Sequence, residues 1–569
     1  MSLKKDIVWR VGLIYALFFI LGLSVIGKII YIQLIEGDKW AARAQTQTHR
    51  DFTILPERGN IYDSDYNLLA TSVPIYEIRM DLVSNALSNQ VFEENIDALS
   101  RSLSRLFGDK TGAEYKKELM KARRKGERYH LIKRNVSYAQ LSQLKTFPIF
   151  RNGRYKGGFI YEQNNKRVLP HKELAARTIG YTTKGNSGNV VGIEGAYENN
   201  LKGVIGLRMM QRLSGNVWMP LNDKNEVDPK DGQDIITTID INIQDVAHHA
   251  LLRQLKRHNA HHGTAVLMEV KTGEIRAIAN LQVGNDGKYH ESYNYAIGES
   301  SEPGSTFKLP ALMVALEDGL IELGDSVETG SGQVRFYDKI IKDTHEGGYG
   351  TITVEEVFIF SSNVGVSMLI QQNYQGKEKD FINRLYNMKL NKKLGIEIRG
   401  EGVPEIKYPG DPLWSGISLP MMSHGYEVRM TPIQILAFYN AVANDGKMIS
   451  PKFVKEIRYH GKLIKKIKTK VINPSIASEA TIGDAKKMLE GAVERGTAKN
   501  LNNDLYKIAG KTGTAQIADQ DMGYKGKVQY QASFVGYFPA DKPKYSCIVV
   551  VNAPSNSVYY GNLVAGPVF

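Results

Sequence analysis

The stretch from Val11 to Gly27, "VGLIYALFFILGLSVIG", carries no charged residue, and apolar character resumes after Lys28 as "IIYIQLI". About 20 apolar residues, at about 1.5 Å each, cross the hydrocarbon core of a bilayer. No small-residue cleavage site follows, so the segment is typical of a retained signal anchor. The basic residues before it are Lys4, Lys5 and Arg10. They predict a cytoplasmic N-terminus.

The remainder of the 569 residues is too long for one hydrophobic core, and its 42% hydrophobic and 23% charged residues are ordinary for globular domains. The net charge of +13 does not predict nucleic-acid binding, because the lysines are scattered. The one dense run, "GKLIKKIKTK" from Gly461, alternates with isoleucines and predicts a strand with one basic, solvated face. A basic balance also suits a protein beside anionic lipid.

The single cysteine, Cys547 in "YSCIVVV", excludes an intrachain disulfide and is predicted to be a buried strand residue. Five histidines stand in "HHALLRQLKRHNAHH", at spacings that can hold zinc. No carboxylate or cysteine in the run completes the set, so we expect a polar helix end and no metal site.

The polar stretch "NDKNEVDPKDGQD" marks a domain boundary. Before it, "EGDKWAARAQTQTHRDF" predicts a helical continuation of the span, and "ILPERGNIYDSDYNLLATSVPIYEIRMDL" predicts strands joined by a polar hairpin. Residues from about 84 to 145 are charged and helical in pattern. "GIEGAYENNLKGVIGLRMM" predicts a helix closed by Gly203 and followed by a strand.

After the boundary, "IITTIDINIQDVAHHALLRQLKRH" predicts a strand, a capped turn and an amphipathic helix, and "GTAVLMEVKTGEIRAIANL" predicts a hairpin. Three more strands are predicted in "YKIAGKTGTAQIA" and "ASFVGYFPADKPKYSCIVVVNAP", with helices from about 310 to 444 in between. Strands at both ends of a helical middle predict an α+β domain whose N- and C-terminal strands meet in one sheet.

Three short motifs carry potential chemistry. In "EPGSTFKLP", Ser305 and Lys308 share one face of a helix that starts near Gly304, which suits a nucleophile and its base. "FSSNVGV" contributes Ser361 and Asn363, and "GKTGTA" places Lys511 and its neighbours in a strand. Each motif alone is explained by helix capping or a tight turn. In this order, S-x-x-K, S-x-N and K-T-G-T form the motif set of β-lactamases and penicillin-binding proteins.

The chain resembles the class B penicillin-binding proteins, which are monofunctional D,D-transpeptidases, over nearly its whole length. "RGNIYDSDYNLLA" and "GIEGAYENNLKG" are similar to their two pedestal motifs, and "MTPIQILAFYNAVANDGKMISP" is similar to the helix behind their active site. One departure is a turn with Ser64 and Tyr66, where the family commonly has Arg and Gly. "EPGSTFK" with Ser-Ser-Asn resembles the septal, division-specific branch.

The resemblance implies an N-terminal transmembrane helix, an elongated pedestal and a transpeptidase domain with an antiparallel sheet flanked by helices. The expected limits are 1–10 for a cytoplasmic tail, 11–35 for the anchor, 36–228 for the pedestal and 229–569 for the transpeptidase domain. Family members usually continue into a final helix, so whether the protein extends beyond Phe569 is left open.

The resemblance also implies roles for the motif residues. Ser305 attacks the penultimate D-Ala carbonyl of a stem peptide, Lys308 is the base, Ser361 relays a proton and Asn363 orients the acyl amide and Lys308. Burial and the positive Lys511 are expected to lower the pKa of Lys308. The substrate carboxylate is bound by Lys511, Thr512, Gly513 and Thr514. The oxyanion hole is formed by the backbone N–H groups of Ser305 and Thr514.

No cofactor, metal or nucleic acid is implied. The expected partners are lipid-linked precursor and stem peptides, β-lactams that acylate the serine, a septal glycosyltransferase and other division proteins of the bacterial inner membrane. The catalytic domain is expected on the extracytoplasmic side. Three alternatives stay open: an elongation-type transpeptidase, a β-lactam sensor or β-lactamase, and a catalytically silent division scaffold.

Overall fold

The computed structural model describes residues 3–181, 191–213, 217–220, 227–517, 529–555 and 558–569. The chain forms two compact units, Met1–Arg58 with Lys202–Gly232, and Gly59–Leu201 with Gln233–Phe569.

The strands of the described residues, numbered along the chain, are β1 His49–Ile54, β2 Ile61–Tyr62, β3 Leu68–Met80, β4 His130–Val136, β5 Phe159–Val168, β6 Gly206–Leu213, β7 Val217–Pro220, β8 Asp234–Thr237, β9 His262–Glu269, β10 Ile275–Val283, β11 Tyr289–His290, β12 Ser326–Glu328, β13 Gln333–Phe336, β14 Lys339–Lys342, β15 Thr351–Thr353, β16 Glu405–Ile406, β17 Val428–Arg429, β18 Met448–Ile449, β19 Val454–Tyr459, β20 Lys462–Lys466, β21 Val471–Asn473, β22 Ala509–Ile517, β23 Gln529–Phe538 and β24 Tyr545–Asn552.

The α-helices, numbered in the same way, are α1 Leu3–Leu34, α2 Gly37–Thr48, α3 Asn89–Phe107, α4 Gly112–Arg124, α5 Tyr138–Leu144, α6 Gly153–Gly157, α7 Ala176–Ile179, α8 Gly192–Ala196, α9 Glu198–Leu201, α10 Ile241–Arg257, α11 Tyr295–Gly298, α12 Lys308–Glu317, α13 Val354–Ile359, α14 Asn363–Tyr374, α15 Glu378–Asn387, α16 Ser418–Ser423, α17 Pro432–Ala443, α18 Glu479–Glu494 and α19 Gly561–Val564.

In the first unit, α1 contains the apolar segment Ile7–Leu34, which is long and apolar enough to cross a membrane and has exposed side chains. The predicted continuous helix is broken, because α1 ends at Leu34 and α2 begins at Gly37. Beyond it, β1, β6 and β7 form an antiparallel three-stranded sheet.

In the second unit, a sheet runs in the order β20-β19-β8-β2-β3-β4, with β5 also paired to β3. Strand β8 pairs in parallel with β2, so this sheet joins strands from both sides of the predicted boundary at residue 228. The domain limits therefore stay a prediction. In the turn between β2 and β3, Tyr66 has a φ of 67°, and Asp63 Oδ1 accepts from the backbone N–H groups of Asp65 and Asn67, each at 2.8 Å.

Two expectations about this sheet are wrong. The segment from 84 to 145 is not purely helical, because β4 lies within it and pairs with β3, which buries Ile132 and Val136. The "GKLIKKIKTK" run does not have one solvated face. Its strand β20 is the outermost strand of the sheet, and the whole of Lys462–Lys466 is exposed. The alternation of lysine with apolar residues in this strand therefore does not correspond to a buried face.

The histidine-rich run lies at the end of α10, as predicted, although not all of its histidines are exposed. His248, on α10, and His258, at the end of that helix, are both buried. His262 Nε2 lies 3.0 Å from the carboxylate of Glu299, a partner that is distant in sequence.

A six-stranded antiparallel sheet, in the order β11-β10-β9-β24-β23-β22, forms the centre of the second unit. The predicted meeting of N- and C-terminal strands is confirmed, because β9 pairs with β24. Alternate residues face opposite ways. Ala265 packs in the same apolar cluster as Leu251 of α10, whereas Val266 packs in the cluster that contains Phe438 of α17. Helices therefore cover both faces, and the α+β class is confirmed. The sheet ends at β22, the strand that carries the K-T-G-T motif.

Candidate active site

The turn that carries Ser305, called here the nucleophile turn (Pro303–Lys308), is a 3₁₀ turn over Gly304–Phe307 that runs into α12. Gly304 has a φ of 55°, and a Cβ built on it would lie 3.0 Å from the carbonyl oxygen of Thr514. Glycine is therefore required twice here, by the backbone conformation and by the close approach of β22.

The nucleophile turn is held by backbone groups. Gly304 N–H donates to the carbonyl of Gly425 at 3.1 Å. The carbonyl of Thr306 precedes Pro310 by four residues, and a proline has no N–H to donate to it. The hydroxyl of Tyr439, on the buried helix α17, donates to this carbonyl at 2.8 Å instead. The helix that resembles the one behind the family's active site thus supports the nucleophile turn directly.

Lys308 is completely buried at the start of α12, although lysine is rarely buried. Its Nζ donates to Ser361 O at 2.6 Å, to Ser361 Oγ at 3.0 Å and to Asn363 Oδ1 at 2.7 Å. The other end of the Asn363 amide, Nδ2, donates to the carbonyl of Lys342 at 3.0 Å. Both ends of this amide are therefore fixed, and one of its two N–H bonds is left for a ligand.

Ser361 has a φ of 61°, in the left-handed region that non-glycine residues rarely adopt. This backbone brings its hydroxyl between two lysines, 3.0 Å from Lys308 Nζ and 2.9 Å from Lys511 Nζ. A hydroxyl oxygen that accepts from two amines has used both lone pairs, so its proton remains available for donation. Ser362 takes the helix-capping role, because its Oγ accepts from Gly365 N–H at 2.8 Å.

The K-T-G-T motif lies in β22 as predicted, and Lys511 is completely buried. Its Nζ also donates to the carbonyl of Thr512 at 3.1 Å, and the Thr512 hydroxyl lies 2.9 Å from that of Thr497. At Gly513, a Cβ would lie 2.2 Å from Ser533 Oγ and 3.0 Å from Thr306 Cγ2. The missing side chain thus makes room mainly for neighbouring side chains.

One cavity of about 740 Å³ joins the three motifs. The predicted site residues on its wall are Ser305, Ser361, Asn363, Thr512 and Thr514. Within the described part of the chain, the Ser305 hydroxyl makes no hydrogen bond to protein. The backbone N–H of Ser305 lies in the first turn of a helix, where the helix itself offers no carbonyl acceptor. The volume suits a peptide-sized ligand.

The two buried lysines have unusual acid–base properties. Burial lowers the pKa of Lys308 to about 7, and the negative charge of Asp343 opposes this shift. Burial and the charge of Lys308 hold the pKa of Lys511 well below its ordinary value. Of the two expected causes of a low pKa at Lys308, burial is confirmed, whereas Lys511 does not contribute to the shift. An amine with a pKa near 7 is suited to accept a proton at neutral pH.

Two residues of the site were missed by sequence reasoning. Asp343 follows β14, and its carboxylate contacts the turn of the S-x-N motif. His424 lines the cavity, and its Nδ1 lies 2.8 Å from the carbonyl of Pro420, so Nδ1 carries the proton. Burial, together with the charge of Lys308, lowers the pKa of His424 to about 3. Neither residue stands in a motif or at a helical spacing from one, so no signal in the sequence pointed to them.

Comparisons with known proteins agree with this architecture. Residues 263–569 match the penicillin binding protein transpeptidase domain, and residues 53–237 match the penicillin-binding protein dimerisation domain. Stage V sporulation protein D of Bacillus subtilis is 27% identical over 99% of this chain and 85% of that protein. Peptidoglycan D,D-transpeptidase FtsI of Escherichia coli strain K12 is 27% identical over 99% of this chain and 90% of that protein.

Among solved structures, penicillin binding protein 2X from Streptococcus thermophilus has a TM-score of 0.72 at 21% identity, covering 91% of this chain and 79% of that one. At this identity the likeness concerns the fold alone. The two matched domains together cover most of the chain. The chain therefore belongs to the class B penicillin-binding proteins, as its motifs predicted.

Proposed function

We propose that the chain is a serine-type D-Ala-D-Ala transpeptidase that cross-links peptidoglycan stem peptides, with Ser305 as the nucleophile. The observation that carries this proposal is the hydroxyl of Ser361, which bridges two buried lysine amines on the wall of the cavity that Ser305 also lines. Membership of the family supports the same reaction.

In the first half of the reaction, Ser305 Oγ attacks the penultimate D-Ala carbonyl carbon, and its proton passes to the lone pair of Lys308 Nζ. The Oγ–C bond forms first and gives a tetrahedral intermediate, and the C–N bond to the terminal D-Ala then breaks as this intermediate collapses to the acyl-enzyme. The leaving nitrogen takes the proton of Ser361, which Lys308 then replaces. This relay is supported by the short contact between Lys308 Nζ and Ser361 Oγ.

In the second half, the side-chain amine of another stem attacks the acyl carbon, and its proton returns through the same groups. The Oγ–C bond breaks, Ser305 regains its proton and the cross-link is complete. The carbonyl oxygen of each tetrahedral intermediate is placed against the backbone N–H groups of Ser305 and Thr514. Such donors contribute about 2.7–4 kcal/mol each in comparable sites.

The carboxylate of the terminal D-Ala would be held by Lys511, with the hydroxyls of Thr512 and Thr514 and the close packing that Gly513 permits. Its negative charge would favour the ammonium form of Lys511. A positive Lys511 on one side of Ser361 Oγ would in turn favour neutral Lys308 on the other side, because like charges disfavour each other. Substrate binding would thus leave Lys308 ready to accept the proton of Ser305.

For the cellular role, we propose septal cell-wall synthesis beside a separate membrane-bound glycan polymerase and other division proteins. The support is the resemblance of "EPGSTFK" and Ser-Ser-Asn to the septal branch. We further propose residues 11–35 as a single-pass anchor after a cytoplasmic tail of residues 1–10. Residues 36–228 would form the pedestal and residues 229–569 the transpeptidase domain, both on the outer side of the cytoplasmic membrane.

The test of the enzymatic proposal is cross-linking of lipid-linked pentapeptide precursor by the purified full chain, with and without a septal polymerase. We expect cross-linked dimers that disappear after treatment with penicillin. Stable covalent labelling without cross-linking would indicate a β-lactam sensor, and rapid turnover of penicillin would indicate a β-lactamase. The absence of any labelling would indicate a non-catalytic scaffold.

The septal role has its own test. Replacing residues 1–35 by an unrelated anchor is expected to reduce recruitment to the septum, while penicillin acylation by the rest of the chain is kept. Small residues in the span that could allow close helix packing are Gly12, Ala16 and Gly22. Depletion is expected to give undivided filaments. Rounded, widened cells would contradict the septal role and favour elongation.

A further inference from the structure

The turn that carries Ser361 and Asn363, called here the relay turn (Ser361–Asn363), is held by a residue outside the three motifs. Asp343 Oδ1 accepts from Asn363 N–H at 2.6 Å and from Val364 N–H at 3.0 Å. These are N–H groups of the first turn of α14, which have no partner inside the helix. The carboxylate therefore satisfies donors that the helix itself leaves open.

The same carboxylate holds the capping residue. Ser362 Oγ donates to Asp343 Oδ2 at 2.9 Å and accepts from Gly365 N–H at 2.8 Å. Ser362 is completely buried. Asp343 and Ser362 together satisfy three donors at the start of α14, so the conformation of the relay turn depends on this pair of side chains.

The relay turn supplies all the hydrogen-bond acceptors of Lys308 among the described residues: Ser361 O, Ser361 Oγ and Asn363 Oδ1. Ser361 holds a left-handed backbone, which costs about 1 kcal/mol and persists only where its surroundings impose it. Loss of the Asp343 contacts would release that backbone. The position of the acceptors around the Lys308 amine would then change.

We propose that Asp343 is a positioning residue for acylation, which acts on Lys308 by fixing the relay turn and by placing a negative charge beside the buried amine. This inference rests on the proposed function of Ser305 and Lys308. It adds a residue that contacts neither substrate nor nucleophile in the proposed reaction.

The charge of Asp343 acts directly on the Lys308 amine. The charged and titratable groups that interact with Lys308 in the described part of the chain are Asp343, Lys511 on β22 and His424 after α16. Asp343 raises the pKa of Lys308 against the larger effect of burial. Removing the negative charge should therefore let Lys308 lose its proton at a lower pH.

The test compares three variants of the site with a matched control, using the second-order rate of acylation by a fluorescent penicillin from about pH 5 to about pH 9. Asp343→Asn keeps an oxygen for the two backbone donors and removes the charge. Asp343→Ala removes both. Ser362→Ala keeps the charge and removes the capping hydroxyl. Asp240→Asn is the control, because the Asp240 carboxylate also accepts from two N–H groups in the first turn of a helix, α10, but does not shift the pKa of Lys308.

In the plot of acylation rate against pH, we expect Asp343→Asn to move the midpoint of the rising, acidic limb down by about one pH unit. Asp343→Ala should lower the plateau by about 100-fold, as expected when reacting groups are misplaced. Ser362→Ala should lower the plateau without moving the midpoint, and Asp240→Asn should change neither.

A midpoint in Asp343→Asn equal to that of the unmodified chain, or a full plateau in Asp343→Ala, would overturn the inference. Should Asp343→Ala fail to fold, the midpoint of Asp343→Asn decides alone. Absence of acylation in the unmodified chain would overturn the proposed function and the inference with it. Normal acylation with an unshifted Asp343→Asn would overturn the inference only.

Discussion

The nucleophile turn and the relay turn deliver their hydroxyls to the same cavity but are held in different ways. Gly304 and Thr306 of the nucleophile turn are fixed by Gly425 and by Tyr439 of the buried helix α17. The relay turn is fixed by a carboxylate and a carbonyl that follow one another at the end of β14, next to the cavity. The turn of the proposed nucleophile is thus anchored to the core, whereas the acceptors of Lys308 are anchored to the hairpin in which β13 pairs with β14.

This difference indicates how each turn responds to change. The nucleophile turn is held through its own backbone groups by Gly425 and Tyr439, so damage there should cost both stability and activity. The support of the relay turn is a side-chain network with a charge, so damage there should alter the pH dependence of the reaction. Lys308 connects the two turns, since it lies at the end of one and donates to the other.

The largest effect is expected from Ser305→Ala, which removes the proposed nucleophilic oxygen and leaves both turns in place. We expect loss of penicillin labelling and of cross-linking. The Ser305 hydroxyl makes no hydrogen bond among the described residues, so the free energy of unfolding should change by less than about 0.5 kcal/mol. Gel fluorescence and thermal unfolding measure the two effects. Labelling retained by this variant would rule out Ser305 as the nucleophile.

Lys308→Arg breaks the connection between the turns. Arginine keeps the positive charge but cannot give up its proton, and a base must first be neutral. We expect acylation to fall by about 10²–10⁴-fold, close to the loss in Lys308→Ala. The second-order rate of penicillin acylation measures it. If the arginine variant reacted at nearly the normal rate while the alanine variant did not, Lys308 would act through its charge.

Gly304→Ala tests the backbone support of the nucleophile turn. An alanine at this position would have a strained φ of 55°, and its Cβ would lie 3.0 Å from Thr514 O. We therefore expect the free energy of unfolding to fall by about 1–3 kcal/mol and the rate of acylation to fall by about 100-fold. Gly319 is a matched control, because its φ is 65° and no atom lies within 4 Å of its Cβ position. Gly319→Ala should lose only about 1 kcal/mol, with normal acylation. Equal behaviour of the two variants would contradict the close packing against β22.

The smallest effect is expected from Tyr439→Phe, which leaves the buried carbonyl of Thr306 without its donor. Stability should fall by about 1 kcal/mol, and acylation should slow by only a fewfold. Tyr289→Phe is the control, since its buried hydroxyl donates to Ala260 O at 2.6 Å, on the far side of the six-stranded sheet from α17. That variant should lose similar stability with normal acylation. Equal acylation in both variants would argue against support by α17.

The sequence allowed the candidate reacting groups to be named, but not the residues that hold them in place. Ser305, Lys308 and Lys511 could be proposed because they stand in short motifs, which the structure places on a helix and a strand. Asp343 was not predicted, because it contacts the relay turn only in the folded chain. The two segments share no periodic pattern that would indicate this contact in the sequence. His424 was missed for the same reason.

The same limit applies to the fold. The hairpin β9–β10 and the α+β class were predicted from local patterns and are confirmed. Strand β4 was missed because its sequence is polar and its partner, β3, lies about 50 residues away in the chain. The exposed strand β20 alternates like a half-buried strand, yet all of Lys462–Lys466 is exposed at the edge of its sheet, so neither face of the alternation is buried.

The most direct test of the account is peptide mapping of the penicillin adduct by mass spectrometry, combined with its rate of formation as a function of pH. Below a pH of about 7 Lys308 is an ammonium with no lone pair, and above it the amine is neutral. We expect an adduct on Ser305 whose rate of formation rises as the pH increases through about 7. An adduct on another residue, or a rate that falls over the same interval, would contradict it.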